Sequence, residues 1–69
     1  MQPLLQLLRW ESAIIAQLES ELRIERRAAS QLLDAHPVLI RKAWQSQLSA
    51  QDTANKLIAL SAQEKIHHD

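Results

Sequence analysis

The chain has 69 residues, no cysteine, and eight basic against eight acidic side chains, for a formal net charge of zero. That length allows one domain, which buries only ~60% of the surface its unfolded chain exposes and is marginal alone. No disulfide or thiolate metal site can help it, and neutrality argues against bulk attraction to nucleic acid or acidic membranes.

Glycine, tyrosine and phenylalanine are absent and proline occurs twice, while leucine, alanine, glutamine, glutamate, arginine and serine dominate. This is helix-forming vocabulary with almost no strand formers. No apolar run approaches the ~18–20 residues of a membrane span. The N-terminus lacks the basic region, apolar core and small-residue cleavage site of a secretory leader. A cytoplasmic chain is expected.

Pro3 opens the first predicted helix, since proline suits a first helical position. Leu8, Ile15, Leu22 and Ala29 then recur every seven residues, with Leu4, Leu18 and Leu32 in a second series that holds Glu11 and Glu25 between them. Such spacing predicts a packing seam along one helix over residues 3–34. Leu5, Leu7, Trp10 and Ile14 lie off that seam and, with Ile24, are the candidate partner-binding residues. Glu19 and Arg23 stand four apart in the favourable order, and Arg23, Arg26 and Arg27 crowd the charged second half.

Asp34-Ala35-His36-Pro37 is the one hard breaker, because proline disfavours helix at the residue before it and cannot donate a backbone bond. A turn at 35–37 and a second helix over 37–66 follow. So short a connection makes the helices antiparallel neighbours. Folding there sets Leu32 near Ile40, Ala29 near Trp44, Leu18 near Ala54, and Ile15 near Leu57 and Ile58. The candidate hairpin core is therefore Leu8, Ile15, Leu18, Leu22, Leu32, Ile40, Trp44, Leu48, Leu57 and Ile58. Ser49 with Asp52 three residues on can form a capping box. If it is used, the second helix divides near Ser49. Ala50, Gln51 and Ala54, with no glycine or proline nearby, favour continuity.

The fold class expected is all-α: one domain, 1–69, an antiparallel two-helix hairpin or coiled coil completed by a partner or by dimerisation.

Chemistry finds little to stand on. His67 and His68 are adjacent, so on a helix they diverge by about 100° and cannot chelate from one face. No metal site is expected. Without glycine there is no phosphate loop or dinucleotide fingerprint, and without cysteine no thiol nucleophile. The scattered serines have no histidine relay. An enzyme and a bound cofactor are therefore not expected, and no catalytic residue is assigned. What remains is a protein-binding module. Its expected partner is another helical protein or a second copy; no membrane is expected as its target, and nucleic acid is the less favoured one.

After the turn, Ala43-Trp44-Gln45 precedes an alanine-rich stretch ending in Leu57-Ile58-Ala59-Leu60. In size, in layout and in this stretch the chain resembles the small E-type co-chaperones of type III secretion needle proteins, the YscE/PscE/SsaE/EscE group. The resemblance implies a bacterial cytoplasmic protein that pairs with a helical chaperone and keeps the needle subunit monomeric until export, without covalent chemistry. An alternative is a homodimeric four-helix bundle of the Rop type, regulating through RNA or protein. Arg23, Arg26, Arg27, Arg41 and Lys42 would gather at its turn end.

Overall fold

The computed structural model describes residues 4–67, with side chains described as far as Ala62. The readings made above for Pro3 and His68, and for the side chain of His67, fall outside those residues. Within them every regular element is an α-helix, and there is no strand.

Four helices take the place of the expected two. They are α1 (Leu4–Leu22), α2 (Arg26–Asp34), α3 (Pro37–Gln45) and α4 (Ala50–His67). The helix expected over 3–34 divides at Arg23–Glu25, and the one expected over 37–66 divides between Gln45 and Ala50. Each break turns on a residue in left-handed geometry, Arg23 at φ 55° and Gln47 at φ 62°. Neither is glycine, which usually takes that position at the end of a helix.

The second break is fully built. The Gln47 N–H donates to the Trp44 carbonyl at 3.1 Å and the Leu48 N–H to the Ala43 carbonyl at 2.9 Å. That pair of bonds is the Schellman closure, which satisfies carbonyls a helix end leaves open. Ser49 then caps α4: its Oγ accepts from the Asp52 N–H at 3.0 Å. Its carbonyl accepts both the Thr53 N–H at 3.0 Å and the Thr53 Oγ1–H at 2.9 Å. Local chemistry thus breaks the continuous helix that Ala50 and Gln51, which open α4, were expected to favour.

The first break is plainer. Glu25, in extended geometry at φ −74° and ψ 159°, stands at the N-cap of α2 without a side-chain capping bond. Among the described residues no pair of backbone bonds like that at Gln47 and Leu48 closes α1 at Arg23 and Ile24. An exposed hydrogen bond from Arg26 Nη2 to Ser12 Oγ, 3.3 Å, ties the start of α2 back to α1.

The turn between α2 and α3 lies where proline places it. Ala35 ends α2, His36 is the N-cap residue, and Pro37 is the first residue of α3.

α1 packs chiefly against α4 and then against α2, and α2 meets α3 across the proline turn. One cluster joins all four helices: Ile14 and Leu18 from α1, Ala29 and Leu33 from α2, Ile40 from α3, Ala54 and Leu57 from α4. Trp10, Ile15, Leu22, Ile24, Leu32, Leu39, Ala50 and Ile58 pack around it, partly buried. The body is elongated, 46 × 22 × 17 Å. None of the described helices is long and apolar enough to cross a membrane.

Candidate protein-binding surface

The break at Arg23 changes which face of α1 is covered. In an open hairpin the heptad line through Leu8, Ile15 and Leu22 would form the seam. Here α2 and α4 cover α1, and the buried line runs through Ile14 and Leu18, one helical turn apart. Leu8 lies about 120° around the axis from Ile14, and Leu5 about 180°. As a result Leu4, Leu5 and Leu8 are left 66%, 62% and 53% exposed, while Ile14 and Leu18 are 0% exposed. Two expectations are corrected by this. Leu8 is a surface residue and not hairpin core, and Ile14 is core and not a partner contact.

The other partner candidates divide. Leu5 is exposed on the uncovered patch. Leu7 is half-buried beside it. Ile24, half-buried in the first break, packs against the core. Trp10 is committed within the chain: its indole Nε1–H donates to the Leu48 carbonyl at 2.9 Å, and its ring meets Trp44 at a centroid distance of 5.1 Å, tilted by 55°.

Of the hairpin-core candidates, Leu18, Ile40 and Leu57 are buried, and Ile15, Leu22, Leu32 and Ile58 pack partly buried against them. Trp44 and Leu48 are half-buried at the junction of α1 with α3. Leu33, Ala43 and Thr53 are buried too and stood outside the predicted core. Leu33 follows Ala29 by four residues, so 3.6-residue spacing from Ala29 would have found it where a seven-residue count skips it. Thr53 is legible as the residue four after a capping serine, placed to bond back to its carbonyl.

Next to the leucine patch, an open groove of about 390 Å³ runs between α1, α2 and α3. Leu7, Ile15, Leu33, Ile40 and Trp44 give it apolar walls, and Glu11, Asp34 and Arg41 stand along it. The groove suits a side chain or a helix edge. Val38, 63% exposed on α3, is a further uncovered apolar residue.

Among the described residues no group of three histidine, cysteine or acidic side chains could hold a metal ion. Compared with protein-family models, curated proteins and solved structures, the chain has no match in any of the three.

Proposed function

We propose that this chain is a small protein-binding module that receives a helix of another protein on the exposed leucines at the start of α1. The observation that supports it is the contrast along one helix. Leu4, Leu5 and Leu8 stand open to solvent two turns before Ile14 and Leu18 vanish into the core. Fully burying a leucine side chain gives ~1.5–3 kcal/mol. Three leucines already partly covered give several kcal/mol at most, so a lasting complex needs further contacts along the adjoining groove.

In its narrower form the reading is a co-chaperone of a type III secretion needle protein. It would act in the bacterial cytoplasm beside a helical chaperone. The likeness of Ala43-Trp44-Gln45 and the apolar stretch to Leu60 supports this, as does an unfilled apolar face at one end of a small helical body. The mechanism is burial of an aggregation-prone surface, with no covalent step and no cofactor.

The test is affinity purification of the tagged chain from its native cell, with the partner identified by mass spectrometry. It is run beside a Leu5→Asp/Leu8→Asp variant checked by circular dichroism. A helical partner recovered in stoichiometric amount with the parent, and at least about tenfold less with an equally helical variant, is the expected result. Equal recovery by both would overturn the binding face. A partner unrelated to secretion would overturn the narrower form.

A further inference from the structure

We propose that the face of α2 and α4 that receives α1 also receives α1 from a second copy of this chain, by straightening of the hinge Arg23–Glu25 into continuous helix. The product is a domain-swapped dimer.

The two breaks in the chain are unequal. At Gln47 the left-handed residue is compensated by the Schellman pair of backbone bonds, by the Ser49 cap, and by the bond from Trp10 to Leu48. At Arg23 a left-handed, non-glycine residue stands without that closure, and Glu25 caps α2 with no side-chain bond. For an L-residue with a Cβ this geometry is disfavoured, and a helical one would relieve it. No helix breaker in the local sequence opposes straightening, and the like-charged pairs Glu21–Glu25 and Arg23–Arg27, each four apart, oppose it only weakly. The seven-residue line of apolar positions from Ile15 through Leu22 to Ala29 continues across the hinge without glycine or proline.

One unbroken helix from α1 into α2 would carry α1 away from its own body. The vacated surface of α4 and α2 is matched in shape by another α1. Exchange restores the cluster of Ile14 and Leu18 with Ala54, Leu57, Ala29 and Leu33 in both copies, and relieves Arg23 in each. Short strained hinges favour exchange of this kind. A formal net charge of zero gives the two copies little mutual repulsion.

The swap leaves a geometric signature. Glu11 and Asp34 line one groove in the single chain. On one straight helix they would stand about 35 Å apart. The experiment uses the full chain. Sedimentation equilibrium from micromolar to millimolar concentration gives the dimer dissociation constant for the parent, Arg23→Gly and Gln47→Gly. A spin-labelled Glu11→Cys/Asp34→Cys chain, diluted into excess unlabelled parent, gives the distance within one chain.

The expected result is a slowly exchanging dimer with an intrachain distance of about 35 Å. Arg23→Gly, which is comfortable in the hinge and poor in a helix, should raise the dissociation constant by at least about tenfold. Gln47→Gly should change it by no more than about twofold, because that break persists in both forms. Monomer at every concentration would overturn the proposal. So would a dimer that keeps the short intrachain distance, or equal effects of the two glycine variants.

Discussion

Trp10 and Leu48, 38 positions apart in sequence, are joined by one hydrogen bond from the indole N–H to the backbone carbonyl at 2.9 Å. The bond ties α1 to the junction of α3 and α4. It does so at the residue after left-handed Gln47, so the side chain of one helix secures the turn between two others. Trp10→Phe keeps most of the ring and removes the donor. The expected loss of stability is about 1–2 kcal/mol in urea unfolding, since the carbonyl is left in a partly buried place without that partner. An unchanged midpoint would mean that water replaces the indole at no cost.

Ser49 carries the start of α4. Ser49→Ala removes the acceptor of the Asp52 N–H and should cost about 0.5–2 kcal/mol. Ser49→Asp retains an acceptor at the same point and should recover most of the loss. Thermal unfolding of the three chains side by side checks both statements.

α1 offers a direct comparison of two apolar residues. Ile14 is fully buried and Leu8 is about half exposed. Ile14→Ala should lower folding stability by about 2–5 kcal/mol, through lost transfer energy and the cavity left behind. Leu8→Ala should change it by no more than about 0.5 kcal/mol. Urea unfolding curves for the two variants should separate clearly, and the reverse order would place the heptad line in the core after all.

Thr53 is the one buried polar side chain among the described residues. Its hydroxyl bonds to the Ser49 carbonyl, which already accepts the Thr53 N–H. Thr53→Val keeps the shape and leaves that carbonyl with a partner. The expected change is within about 1 kcal/mol in either direction, since both the hydroxyl and its burial cost are removed. Thr53→Ala should be worse than Thr53→Val, because it also opens a cavity. Chemical unfolding of both variants reads the difference.

Helix content and the proline turn were legible from composition and from His36-Pro37, because each rests on local chemistry. The Ser49–Asp52 cap was legible as well, but its outcome depended on weighing one cap against a run of good helix formers. Trp10 and the Gln47 closure add to the cap's side, and both involve residues that a local reading of Ser49 does not include. The break at Arg23 had no sequence signal. No glycine or proline marks it, and the apolar pattern runs straight through. What accompanies it is tertiary: α2, folded back there, packs on α1 over the core that holds Ile14 and Leu18. That same packing moved Leu8 out of the core and Ile14 into it.

Placing the chain's two tryptophans 5.1 Å apart at the meeting of α1 with α3 makes its intrinsic emission a reporter on a single joint. Any event that lifts α1 from the body separates both chromophores from each other at once, whereas loosening at the far end of α4 leaves their light unchanged. Fluorescence and circular dichroism should therefore fall out of step wherever α1 detaches before the remaining helices melt.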